Sequence, residues 1–151
     1  MWLDEQVVLA ACSDGGIRFW DIESCSSGGS KILRTLHVDA EVRDMELSVL
    51  FSGRRVLTVA AGKTVSFFDL AGECPLLHAH PMPVHFRDEG GASLHPSGQK
   101  FIAGGSDLWV RVFDFSTGKQ LECHKVRRVI DWVAEKWIAH NVVSLRLFLN
   151  L

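Results

Sequence analysis

Three times in this chain a short apolar strand ends in an aromatic residue followed by aspartate: Trp20-Asp21, Phe68-Asp69 and Phe113-Asp114. The aspartates are 48 and 45 residues apart. Each pair sits in the same order of short strands and turns. The plainest copy runs from Ser93 to Glu122. A strand ends in His95-Pro96, a turn follows at Ser97-Gly98, and then come the strand Phe101–Gly105, a turn at Ser106-Asp107, and the strand Trp109–Asp114. A turn at Ser116–Gly118 leads into a last strand, Gln120–Cys123. A repeat of roughly 40–45 residues with four short strands in each is the pattern of stacked antiparallel sheets, as in the blades of a β-propeller.

The rest of the chain follows the same order. Val7–Cys12 is rich in β-branched residues and reads as a strand. Ser13-Asp14-Gly15-Gly16 is a turn that needs positive φ, which glycine supplies. In the return strand Ile17–Asp21, Ile17 and Phe19 fall on one face, with Arg18 and Trp20 on the other. Glu23–Ser30 reads as a loop and Lys31–Leu36 as a third strand. In the second copy, Val42–Phe51, Arg55–Ala60 and Thr64–Leu70 are strands, with turns at Ser52-Gly53 and Gly62-Lys63. Leu76–Ala79 is a short outer strand, and His80–Pro83, with two of the four prolines, is expected to be a loop. The units predicted are 1–36, 37–80 and 81–125, followed by a tail, 126–151.

With 151 residues, 47% of them hydrophobic and 23% charged, the chain has the size and composition of one globular domain. Sixteen basic and eighteen acidic residues leave a net charge of −2, which supplies no general attraction to nucleic acid or to an anionic membrane. Cys12, Cys25, Cys74 and Cys123 form no CxxC pair, and the first residues lack a secretory pattern, so free thiols in a reducing compartment are expected. The apolar runs are too short to span a bilayer.

These features resemble the WD40-repeat family. Trp20-Asp21 is that family's namesake dipeptide, and Phe68-Asp69 and Phe113-Asp114 stand in its place in the other copies. The family's hydrogen-bonded set joins His, Ser or Thr, a turn Asp, and Trp. The first copy keeps Ser13, Asp14 and Trp20; the second has no turn Asp; the third has Ser106 and Asp107 with Phe113. His37, His80 and His124 follow the outer strands, roughly where the family places Gly-His. The stretch from Gly90 to Lys125, with its SLHP turn and its FIAGGSD strand, is most similar to WD40 adaptors that associate with serine-threonine kinase receptors. Val42–Phe68 resembles the preceding blade of those adaptors, and the likeness spans about residues 3–125.

The fold implied is all-β, an incomplete propeller of about three four-stranded antiparallel blades, with a divergent tail. Arg127–His140 has helical spacing, whereas Leu145, Leu147, Leu149 and Leu151 alternate like a strand. A foreign tail is the favoured reading of this segment, over a basic helix that binds a partner or a membrane surface. About three blades cannot close a ring, so the chain reads as a piece of a longer propeller, as one completed by another chain, or as marginally stable.

The remaining sites offer little chemistry. His78, His80 and His85 lack the further ligands of a metal set. Ser93 and His95, two apart on an extended strand, form no local nucleophile–base pair. Asp88-Glu89 reads as a solvated turn, and Gly104-Gly105-Ser106 has neither a phosphate-loop lysine nor a following helix. Trp2, Trp20 and Trp109 read as packing residues. Arg54-Arg55 and Arg127-Arg128 are too small for a nucleic-acid footprint. Asp44, Glu46 and His95 lie on candidate inner strands without completing a catalytic set.

The expectation is therefore a scaffold and not an enzyme, without cofactor, metal, membrane or small-molecule substrate, and touching nucleic acid only indirectly. The resemblance implies a cytoplasmic and nuclear adaptor in multi-subunit complexes. Partners implied are the survival-of-motor-neuron complex, which assembles spliceosomal particles, and transforming-growth-factor-β receptors with inhibitory Smad proteins. The alternatives are a protein like the WD40 subunit of translation initiation factor 3, or a propeller fragment with no function of its own.

Overall fold

A computed structural model of the chain describes residues 1–22, 31–86 and 90–126. The fold is all-β, with eleven strands in three antiparallel sheets and no helix among the described residues. The chain divides into two compact units, Met1–Val42 and Arg43–Leu151.

The first unit holds β1 (Val7–Ala11), β2 (Gly16–Asp21) and β3 (Lys31–His37) in the order β1-β2-β3. This sheet has three strands where four were expected. Among the described residues, the first residues of the chain lie beside β1: Trp2 forms an isolated antiparallel bridge to Val8. Met1 bonds Leu9 through both its ammonium and its carbonyl, at 2.9 and 2.8 Å. Leu9, Ile17 and Phe19 are buried, as the alternation of β2 requires. The outer strand β3 carries Lys31 and Arg34, and charged side chains keep such an edge from pairing further.

The second unit holds two four-stranded sheets. One runs β4-β5-β6-β7: Val42–Val49, Arg55–Ala61, Thr64–Asp69 and Leu76–Pro81. The other runs β8-β9-β10-β11: Gly91–Leu94, Lys100–Gly104, Trp109–Asp114 and Gln120–Lys125. In β5 every residue after Arg55 is buried, so its sequence RVLTVAA shows no alternation. The two sheets share one core. Val56, Ala60, Val65 and Phe67 meet Ala92, Leu94, Phe101, Ala103 and Phe113 there. The Phe67 ring stands edge-on to Phe101 and to Phe115, both at 4.9 Å, and Phe101 stacks on Phe113 at 5.0 Å. Aromatic pairs of this kind add about 0.5–1.5 kcal/mol each beyond their burial.

The first half of one expected loop belongs to a strand, and Met82-Pro83 stays outside it. His80 and Pro81 close β7, whereas His80–Pro83 was read as a loop from its prolines. An edge strand tolerates a missing N–H, and Pro81 is the last residue of one, opposite Thr64. His37, His80 and His124 likewise lie within outer strands and not after them. The predicted loop Glu23–Ser30 and the tail from residue 127 lie outside the described residues.

Candidate functional site

The three sheets are one unit repeated, and the repeat is visible atom by atom. Each middle hairpin pairs its second strand with an outer strand that slips register at one place: Phe19/Trp20, Phe67/Phe68 and Val112/Phe113. The bulge therefore falls at the aromatic residue of each aromatic–Asp pair, where it sharpens the local twist. The residue after each Asp then donates its N–H back to the start of the hairpin: Ile22 to Gln6 at 2.9 Å, Leu70 to Arg55 at 3.0 Å, and Phe115 to Gln99 at 2.9 Å. After each outer strand, a backbone N–H returns to the hairpin turn: Val38 to Gly15, Met82 to Lys63, and Val126 to Leu108, at 3.0, 2.7 and 2.9 Å.

The turn acids act as local clamps. Asp14 accepts the Gly16 N–H at 2.8 Å with one oxygen and Arg18 at 2.6 Å with the other. Asp107 does the same with the Trp109 N–H at 3.2 Å and with Arg111 at 2.6 Å. The guanidinium of Arg18 and the Gly16 N–H both lower the Asp14 pKa. Ser13 and Ser106 precede these acids in the turns. Gly15 takes φ +79°, and a Cβ there would strike the Val38 carbonyl. Leu108 holds the matching place in the third sheet at φ +61°. In the second sheet Gly62-Lys63 makes the turn without an acid.

The marker aspartates play different parts. Asp21 ends β2 opposite Val7, and Trp20 beside it is half-buried. Phe68 and Phe113 are buried. Asp69 binds Arg54 through Nε and Nη2 at 2.8 and 2.6 Å and accepts the Ala71 N–H at 3.0 Å, so its pKa is lowered, chiefly by Arg54. Asp114 accepts the Thr117 hydroxyl at 2.7 Å, the Thr117 N–H at 2.8 Å and the Ser116 hydroxyl at 2.8 Å. Those bonds pull its pKa down to about 2.

The weighed sites fall apart as chemistry and come together as structure. Asp44 accepts the Ala92 N–H at 3.2 Å, Glu46 the Ser93 hydroxyl at 2.7 Å, and Ser48 donates to the Leu94 carbonyl at 3.3 Å. Alternate residues of β4 thus tie down the free edge of β8. His95 turns away from Ser93, and its Nδ1 accepts from Ser97. His78 and His80 stack at 5.4 Å, while His85 contacts the Phe86 carbonyl at 3.0 Å. Among the described residues no group of His, Cys, Asp or Glu could hold a metal ion. Gly104-Gly105-Ser106 leads into a hairpin turn between two strands. Trp2 and Trp109 are exposed. Asp88-Glu89 and Arg127-Arg128 lie outside the described residues.

Sequence reading missed the partners of the markers. The Asp-to-Arg step of four, Asp14 to Arg18 and Asp107 to Arg111, was visible in the sequence and signals the clamps. The pairing of Arg54 with Asp69, fifteen residues away, carried no local signal. Nor did Phe51, which is 71% exposed and stands edge-on to His95 at 6.4 Å.

No protein-family model matches the chain. It is 41% identical to the serine-threonine kinase receptor-associated protein of Dictyostelium discoideum over 110 residues, which is 72% of this chain and 33% of that protein. The proteins of the same name from Gallus gallus and Homo sapiens are 26% and 23% identical over 125 residues, 83% of this chain and 32% of each. The chain spans about a third of the length of the curated relatives it matches. Over that third, it is a relative of the serine-threonine kinase receptor-associated proteins.

Proposed function

We propose that the chain works as a non-catalytic protein-binding adaptor built from WD40 blades. The observation that carries this reading is the 41% identity to a protein whose name describes association with a receptor, over a region that repeats one blade-like sheet. A common bulge at Trp20, Phe68 and Phe113 supports the WD40 assignment. Rigid sheets joined by short turns suit recognition, because the turns present side chains at fixed positions. The partners proposed are the survival-of-motor-neuron complex and transforming-growth-factor-β receptors with inhibitory Smad proteins, met in cytoplasm and nucleus. Side-chain carboxylates and hydroxyls of the inner strands are spent on tying strands together, which fits a scaffold better than a reaction centre.

The test is co-precipitation. The tagged 151-residue chain is expressed in cells, and the precipitate is probed for the survival-of-motor-neuron protein and for the receptor kinase. Recovery of either above an unrelated β-sheet control supports the adaptor reading; recovery of neither refutes it.

A further inference from the structure

The sheet β8–β11 has two apolar faces, and only one of them meets β4–β7. Phe101, Ala103 and Phe113 belong to the core shared with that neighbouring sheet. Ile102, Val110 and Val112 alternate with them along β9 and β10, and with Val126 they form a separate apolar cluster on the opposite face. All four of these residues are 6% exposed or less. Leu121, in the edge strand of the same sheet, is 44% exposed, so the sheet by itself does not hide a large side chain. Among the described residues, the apolar side chain packed against the cluster is Leu108, from the hairpin turn of this same sheet. A sheet face buried so deeply needs a second layer over it, and β9 and β10 do not supply one.

The chain itself leads onto this face. Val126 is a member of the cluster and the last described residue before 127–151. Its N–H is bonded to the Leu108 carbonyl at 2.9 Å, so residue 127 starts from a fixed point beside Val110. From there the apolar residues Val126, Val129, Ile130, Val133 and Trp137 recur at helical spacing, and Glu135 falls on the opposite side of that helix. At about 1.5 Å per residue, a helix over 127–140 reaches roughly 21 Å. Four strands spaced about 4.8 Å apart are roughly 14 Å across, so the segment is long enough to cross the sheet.

We infer that the segment 127–140 folds back as an amphipathic helix over the free face of the sheet β8–β11, with Val129, Ile130, Val133 and Trp137 covering Ile102, Val110 and Val112. The segment takes the place that the sheet β4–β7 holds on the other face, and it closes this face to a further sheet or to a second copy of the chain. The inference stands apart from the adaptor reading.

The experiment is methyl NOE spectroscopy on the full 151-residue chain, with its valine, leucine and isoleucine methyls labelled. Cross-peaks from Val110 and Val112 to Ile130 and Val133 are expected, beside those of the core that holds Val56, Val65 and Leu94. Core cross-peaks without any from Val110 and Val112 to the segment overturn the inference. A mixture of labelled and unlabelled chain, filtered for contacts between copies, separates the chain's own segment from a second copy: contacts to this face that arise between copies overturn it. Amide hydrogen exchange over 127–140 gives a second readout. Val133→Ser is expected to speed exchange there roughly tenfold or more, the worth of one buried valine side chain. Glu135→Ser, on the far side of the helix, is expected to change it by less than about threefold, as surface substitutions do. Equal effects at the two positions, or exchange at the free-peptide rate in the unaltered chain, overturn the inference.

Discussion

Gly118→Ala tests a crowded contact between the two sheets of the second unit. Gly118 takes φ +68°, and a Cβ there would meet the His80 ring, with Nδ1 the nearest atom and Cγ at 2.8 Å. His80 is 8% exposed and donates from Nε2 to the Phe115 carbonyl at 2.8 Å, while its face stacks on Phe101 at 5.6 Å. An L-residue at this backbone conformation costs about 1–2 kcal/mol. The ring must also move, and a part-buried carbonyl left unpaired costs about 1–3 kcal/mol. The expected loss is roughly 2–4 kcal/mol, allowing for partial relaxation. Urea unfolding of the 151-residue chain, followed by tryptophan fluorescence, measures it. The decisive step is a double-mutant cycle. In a His80→Ala background the ring is absent, so Gly118→Ala should cost only the backbone share, a coupling of about 1 kcal/mol or more. Additivity within about 0.5 kcal/mol would refute the steric account, since uncoupled sites behave that way.

Thr58→Val should raise stability by roughly 1 kcal/mol, because Thr58 is 1% exposed and its hydroxyl has no partner; a loss seen in the same urea titration would contradict this. Phe67→Ala should cost about 3–5 kcal/mol, as expected for a ring at the centre of an aromatic cluster. The Asp114 carboxyl should titrate with a midpoint near 2 by NMR, and Thr117→Val should move that midpoint upward. Its folded pKa is depressed, so its contribution to stability is complete above the ordinary carboxylate range and is lost as pH falls through about 2.

Repetition made the fold legible. The aromatic–Asp spacing and the turn residues located all eleven strands of the described residues in outline, because short strands between glycine turns leave few alternatives. Where the reading failed, the cause was context. Proline argued against a strand at His80-Pro81, yet an edge position removes the penalty. The fourth strand of the first sheet reduces to Met1–Leu3, and no local pattern marks so short a piece. At the site, the turn acids could be read from sequence because their arginine partners lie four residues on. Asp44 with Ala92, His80 with Gly118 and Phe51 with His95 depend on how the two sheets meet, and periodicity within one strand does not encode that.

The central claim is that one unit is built three times, and hydrogen exchange by NMR tests it most directly. The amides of Ile22, Leu70 and Phe115 close the same ring in each unit, onto Gln6, Arg55 and Gln99. None of the three lies within a strand, so a chain without the repeat would have no common reason to protect them. The account predicts that all three exchange slowly in the native 151-residue chain, far below the rate of an open peptide. Free-peptide exchange at any one of them, with its flanking strands protected, would contradict it.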